Sequence, residues 1–364
     1  MKGINTMISS NPKPAEEEEL IPCLPNEIAM NCLARVPRWH HRALSQVSKP
    51  IRSLLHSHVF YNLHSAIHGK QPFLYLHLHS AYFPSQWWAF SLASPSPCTT
   101  IEPFPIPLLP SPTYQPAYAI LGHHIYVIGG HLNCIISRQV WIMDCRFNRW
   151  REGPSMVIPR MGASTAVMDG KIYVMGGHDQ EPLPNNWAEV LDPAVGRWVK
   201  ADYNCFESRE NRVWFEVGER VVTCDGRRVE KLWLGRNGWG CFEDGFFYKL
   251  NYPAMLTGQE SVAGVEVVDG LLELPGWNPP DTNRRPKQLA GSIANGSLFV
   301  VWIDYWNREY KLWCSELEVN KSKRDHADYY NRHWEVSATP KWSHKVLFCS
   351  EQFKMAGSLV VDGL

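Results

Sequence analysis

The 364-residue chain is predicted to be mainly β, a β-propeller of about six blades preceded by a small three-helix module. Two observations predict the propeller. The first is a repeat: His124-Ile125-Tyr126-Val127-Ile128-Gly129-Gly130, then Asp144 closing Val140-Trp141-Ile142-Met143, then Trp150. It recurs as Lys171-Ile172-Tyr173-Val174-Met175-Gly176-Gly177, then Asp192 closing Ala188-Glu189-Val190-Leu191, then Trp198. The offsets, 176 − 129 = 47 and 198 − 150 = 48, define one supersecondary unit per repeat, which cannot bury its apolar face without neighbours. The second is composition: 27 prolines and 25 glycines beside 16 tryptophans suit short strands joined by tight turns, with large aromatics between sheets.

Residues 1–20 are polar and end in a Pro14-Ala15-Glu16-Glu17-Glu18-Glu19 run, with little apolar surface to offset the entropy of ordering. They are expected to form a disordered tail. Residues 21–66 read as the helical module. Ile28, Cys32 and Val36 recur every four residues and predict an amphipathic helix opened at Pro25, where the missing N–H costs nothing, and stopped at Pro37. A second helix is expected over 40–49 with Leu44 and Val47 inward, and a third over 51–59 with Ile51, Leu54, Leu55 and His58 at helical spacing. So few residues bury little area, so a partner or neighbouring domain is expected to add stability.

Residues 72–364 are assigned to the propeller. The alternation over 72–79 predicts a strand, Trp87-Trp88-Ala89-Phe90 its partner, and the two form a degenerate first blade before the proline-rich stretch 103–116. The repeats at 117–156 and 162–200 are blades two and three. Segments 214–224, 240–250 and 291–318 with Trp334 supply blades four to six, 320–332 is expected as an exposed loop, and 355–361 as a last strand completing the ring. Each glycine doublet permits positive φ and close backbone approach, while Trp150 and Trp198 offer apolar faces to the adjoining blade. These residues build the fold; binding is expected in the loops that follow the doublets.

Lys plus Arg and Asp plus Glu both total 36, so no overall field draws the chain to nucleic acid or acidic lipid. No apolar run has the length of a membrane span. Ten cysteines without a Cys-x-x-Cys pair read as reduced thiols, which places the chain in the cytoplasm or nucleus. His77 and His79, two apart on a strand, face the same side, but no third metal ligand can be named. No phosphate-binding loop, nucleophile elbow, His-Glu-x-x-His pair or triad is present, which leaves an enzyme reading without residues to name, and no catalytic residue, cofactor or metal is assigned.

Leu24-Pro25 opening a helix, Cys32-Leu33-Ala34-Arg35-Val36, Ala43-Leu44-Ser45-Gln46-Val47-Ser48-Lys49 and Arg52-Ser53-Leu54-Leu55 together resemble an F-box. Joined to the kelch-type repeats, the chain from about Leu24 onward resembles the plant F-box/kelch-repeat family. One departure is that Ile51 stands where that family commonly has tryptophan, and fills less volume. The resemblance implies a non-catalytic substrate-recognition subunit of an SCF-type (Skp, cullin, F-box) ubiquitin ligase. Leu24, Pro25, Ile28, Leu33, Val36, Leu44, Val47, Ile51 and Leu55 would dock on a Skp-type adaptor, which brings cullin and RING subunits. The propeller would hold an unidentified target protein, with His131, Asn133, Arg138, Arg160, His178 and Asp179 as its candidate contacts. The alternatives are a scaffold or ligand-binding protein acting without ubiquitin transfer, and a propeller enzyme, which would need a stoichiometric metal.

Overall fold

The computed structural model describes residues 19–69, 71–80, 85–92, 103–132, 135–168, 170–177, 188–201, 213–217, 220–224, 229–233, 239–243, 246–251, 255–260, 265–269, 288–294, 297–306, 309–323, 334–349, 353–361 and 364. The tail expected over 1–20 lies outside them up to residue 18. The chain divides into two compact units between Gly69 and Lys70.

In the first unit, α1 (Asn26–Ala34) follows Pro25 at its N-cap, with Glu27 in the first turn, and ends three residues before Pro37. It buries Ala29, Leu33 and Ala34, not the expected stripe: Ile28 is 51% exposed and Cys32 is exposed. Two adjacent stripes both have the four-residue period, and the one with the small Ala29 and Ala34 faces inward. A single 3₁₀ turn at Arg38–His40 leads into α2 (His41–Leu44), so Val47 lies beyond the helix and is 68% exposed, a correction to its expected inward position. The predicted third helix is two. α3 (Lys49–Leu55) starts at Ser48, whose Oγ accepts the Ile51 N–H at 3.2 Å. α4 (His58–His68) starts at Ser57, whose Oγ accepts the Phe60 N–H at 3.1 Å, and these serine caps decide the break. Leu33, Ala34, Ile51, Leu55 and Phe60 form the core, with Met30, Leu44, Leu54 and Leu63 packed against it.

The second unit is built of antiparallel sheets. β1 (Phe73–Ser80), β2 (Gln86–Ser91) and β3 (Phe104–Pro105) form one with the last strand, as described below. β4 (Ala117–Leu121) and β5 (His124–Ile128) precede a small hairpin of β6 (His131–Leu132) and β7 (Ile135–Ile136). β8 (Val140–Asp144) and β9 (Arg149–Glu152) then complete a sheet in the order β4-β5-β8-β9. β10 (Ser164–Met168), β11 (Lys171–Met175), β12 (Ala188–Asp192) and β13 (Arg197–Lys200) repeat that meander.

β14 (Val213–Val217), β15 (Arg220–Cys224) and β16 (Val229–Trp233) make a three-stranded sheet. The next sheet falls into two runs of four. The first run is β17 (Trp239–Glu243), β18 (Phe246–Asn251), β19 (Met255–Glu260) and β20 (Val265–Asp269). The second is β21 (Gln288–Ala294), β22 (Ser297–Trp306), β23 (Glu309–Lys323) and β24 (Trp334–Cys349), joined to the first by a parallel β20–β24 contact. β23 continues through Lys321 and Lys323, so the loop expected from 320 begins no earlier than 324. β25 (Phe353–Val361) pairs antiparallel with β1, tying the last strand to the first sheet as anticipated.

Successive sheets bury one another. Ala117, Tyr126, Ile142 and Met156 pack against Ile172, Val174, Leu191 and Trp198 of the following sheet. Leu74, Leu76 and Phe90 pack against Phe299, Val301, Leu312 and Val346 of the late strands. The doublet Gly129-Gly130 has φ of +65° and +86°, and a Cβ on Gly130 would lie 2.7 Å from the Tyr114 carbonyl oxygen. Positive φ and lack of space both require glycine there.

Candidate functional site

The nine predicted docking residues separate into two sets. Leu33, Ile51 and Leu55 are buried in the module's own core, while Leu24, Val36 and Leu44 are half-buried. Pro25, Ile28 and Val47 remain exposed. Val59 and Ile67 on α4, which sequence reasoning passed over, are exposed too. Ile51, 4% exposed, thus fills interior space.

Behind this core lie His41, His64 and His68. The ring centroids of His41 and His64 are 5.0 Å apart, and those of His64 and His68 are 4.3 Å apart. Burial, reinforced by His64 and by the Arg38 charge, pulls the pKa of His41 down to about 3. Burial, reinforced by His68 and Arg38, takes His64 down to about 4.

In the propeller the repeat extends to individual hydrogen bonds. The Trp150 Nε1–H donates to the Pro107 carbonyl and the Trp198 Nε1–H to the Pro154 carbonyl, both at 2.8 Å. Asp144 Oδ1 accepts the Arg146 N–H and Asp192 Oδ1 the Ala194 N–H, both at 3.0 Å. Thr113 Oγ1 donates to the Gly129 carbonyl at 2.9 Å, and Arg160 Nη1 donates to the Gly176 carbonyl at 2.6 Å. The two donors are 160 − 113 = 47 residues apart, so Arg160 occupies a repeat position.

Arg160 was expected at the rim, but it is fully buried against an equally buried Glu189. Its Nε and Nη2 donate to Glu189 Oε1 at 3.2 and 3.1 Å. The same carboxylate accepts the Val157 N–H at 2.6 Å and the Ile158 N–H at 3.0 Å. Burial lowers the Arg160 pKa from its ordinary value, and the Glu189 charge opposes that. The pair clamps the linker between two repeats, and Arg160 is a fold residue.

His131 is partly buried in a mutual backbone bridge with Tyr114, their N–H···O distances being 2.9 and 3.0 Å. Arg138 is exposed, its Nη1 3.5 Å from the Val157 carbonyl oxygen. Asn133, His178 and Asp179 lie outside the described residues. A cavity of about 370 Å3 opens beside Arg138, bordered by Thr113, Gly129, Ile135, Ser137 and Trp141. Thr113 and Trp141 escaped sequence reasoning, although their 47- and 48-residue offsets from Arg160 and Glu189 were readable.

His77 and His79 have different partners. His77 Nδ1 lies 2.7 Å from the Tyr118 hydroxyl and its ring stacks on Trp87 at 4.6 Å, whereas the His79 ring faces Tyr114. Burial, with a contribution from His79, pulls His77 down to about 4. Among the described residues no three His, Cys, Asp or Glu side chains are grouped to hold a metal, and no helix is long and apolar enough to cross a membrane.

Comparison with known proteins matches residues 21–63 to the F-box domain and residues 95–347 to the FKB95, Kelch-repeats domain. The F-box/kelch-repeat protein At4g39590 of Arabidopsis thaliana is 37% identical over 358 residues, covering 86% of each chain. At4g19870, from the same plant and with the same description, is 27% identical over 88% of this chain and 89% of its own. At4g33900 is 26% identical over 90% and 92%. The solved structure of YjhT aligns at a TM-score of 0.42 and 11% identity over 70% of this chain and 91% of that one, a likeness too slight to argue from. The helical module, the repeated four-stranded meanders and these matches together show that the chain belongs to the plant F-box/kelch-repeat family.

Proposed function

We propose that this protein is the substrate-recognition subunit of an SCF-type ubiquitin ligase, acting in the cytoplasm or nucleus, with the F-box docked on a Skp-type adaptor and the propeller holding a target. The observation that carries the reading is the exposed apolar set Pro25, Ile28 and Val47 on a helical unit that matches the F-box domain. A module with so small a core gains by covering such side chains. The buried Leu33, Ile51 and Leu55 hold the helices that present them.

The propeller is read as six-bladed, each run of sheet from β1–β3 with β25 through β21–β24 being one blade. Its role is positional. A ubiquitin thioester on a separate conjugating enzyme is attacked by a target lysine, and holding that lysine nearby raises its effective concentration without any bond being made by this chain. The test is co-purification of the full chain with a Skp adaptor and cullin from plant cells. The native chain should retain both. An Ile28→Asp, Val47→Asp variant, altered at exposed positions, should lose both while staying folded, and equal retention by the two would overturn the reading.

A further inference from the structure

The two clear repeats differ at one place in their interior. In the second, Arg160 reaches under the glycine doublet, donates to the Gly176 carbonyl and meets the Glu189 carboxylate, so that a guanidinium and a carboxylate fill the slot. In the first, the equivalent positions are Thr113, Gly129 and Trp141, since 160 − 113 = 47, 176 − 129 = 47 and 189 − 141 = 48. The Thr113 hydroxyl makes the matching bond to the Gly129 carbonyl, but its side chain ends there. The cavity of about 370 Å3 is bounded by these same three residues. It is the counterpart of the filled slot, with neither the cation nor the anion in place.

The surroundings state what would fit. Arg138 is exposed at the edge, and among the described residues its guanidinium reaches the Val157 carbonyl at the long distance of 3.5 Å. Trp141 Nε1–H is shielded from solvent and has no acceptor among the described residues. Ile135, 73% exposed, and Val157, 43% exposed, supply apolar surface nearby. An exposed guanidinium held by one long hydrogen bond and a shielded indole N–H without an acceptor among the described residues, bordering a cleft with apolar edges, favour an anionic acceptor attached to an apolar body. The volume is in the range of small-ligand sites, about 300–1,000 Å3.

We infer that this slot binds a carboxylate, the side chain of an aspartate or glutamate flanked by apolar residues on the target, paired with Arg138 and seated against Trp141. The inference rests on reading the propeller as the target-holding domain, and names the chemistry of target it takes. The carboxylate supplies from outside what Glu189 supplies from inside in the following repeat.

The test uses the full chain and two probes, fluorescein-labelled Leu-Glu-Leu amide and its Leu-Gln-Leu counterpart, read by fluorescence anisotropy. The glutamate peptide should bind about tenfold or more tightly than the glutamine peptide, and Arg138→Gln should abolish that ratio. In chain labelled with 5-fluorotryptophan, the glutamate peptide should shift the fluorine resonance that Trp141→Phe removes. A Thr113→Arg, Trp141→Glu variant, which rebuilds the plug of the second repeat, should bind neither peptide; if it fails to fold, Arg138→Gln, at an exposed position, decides alone. Hexanoate competing as well as the peptide would assign the carboxylate to a free acid instead of a target side chain. Equal binding of the two peptides, or a ratio untouched by Arg138→Gln, overturns the inference. Adaptor co-purification should be unaffected by every one of these changes, so a failure here is distinct from a failure of the ligase reading.

Discussion

Replacing Glu189 with leucine should strand a buried guanidinium. Both partners are fully buried, and Glu189 accepts from Arg160, Val157 and Ile158, so its loss removes the counter-charge and the acceptor of two backbone N–H groups together. Breaking a buried ion pair from one side costs about 3–5 kcal/mol, and each orphaned N–H adds roughly 1–3. The expected loss is therefore about 5 kcal/mol or more, comparable with the whole stability of many domains. In the Arg160→Met, Glu189→Leu double variant the charge is gone, leaving the Val157 and Ile158 N–H groups and the Gly176 carbonyl to find partners, at roughly 1–3 kcal/mol each. The second substitution trades a stranded charge for one orphaned carbonyl and should thus partly restore the first, by about 2 kcal/mol. Thr113→Ala, at the equivalent position of the other repeat, deletes one neutral hydrogen bond and should cost about 1 kcal/mol. Urea unfolding followed by tryptophan fluorescence, with midpoints compared at a common slope, measures all four chains. The reasoning fails if Glu189→Leu loses less than about 1 kcal/mol, or if the double variant is less stable than Glu189→Leu alone.

Trp198→Ala should cost about 3–5 kcal/mol because the indole is buried in the inter-sheet core, and Trp150→Ala visibly less because that ring is partly exposed; equal urea midpoints for the two would contradict the packing account. Since the folded F-box module holds His41 and His64 neutral at pKa values of about 3 and 4, against an ordinary 6.5, the unfolded chain binds protons first as pH falls. Helicity at 222 nm should accordingly be fully stable above pH 6.5 and lose on the order of a few kcal/mol of resistance to urea between there and pH 4, a loss that a flat profile would disprove. Ile51→Trp, which installs the residue common in the family, should destabilise the module by about 1–3 kcal/mol, because Ile51 sits in a filled core; a rise in melting temperature would show spare volume there.

The repeats were legible because doublet, aspartate and tryptophan sit at fixed offsets, and the structure turns each into the same contact twice. Arg160 was not legible as a core residue, since a charged side chain after a proline reads as solvated loop unless its carboxylate partner, 29 residues away on β12, is known. Its offset from Thr113 was the signal available. The buried face of α1 was ambiguous for a geometric reason: Ile28-Cys32-Val36 and Ala29-Leu33 share the helical period, and tertiary packing on Phe60 and Ile51 chose the second. Ser57 ended the third predicted helix by capping the fourth, a local signal that apolar spacing overrode. The extension of β23 through Lys321 and Lys323 shows that alternating charge on a strand face resembles a loop when its pairing partner, here Val336 and Trp334 on β24, is far along the chain.

The measurement that bears most directly on the central claim is the affinity of the full chain for a purified Skp adaptor, by titration calorimetry, for the native protein and the Ile28→Asp, Val47→Asp variant. The account predicts stoichiometric binding by the native chain and at least a tenfold loss in the variant at unchanged helicity, with the two exposed apolar residues costing on the order of 1.4 kcal/mol or more of binding energy. No binding by the native chain, or equal affinity in both, would contradict it.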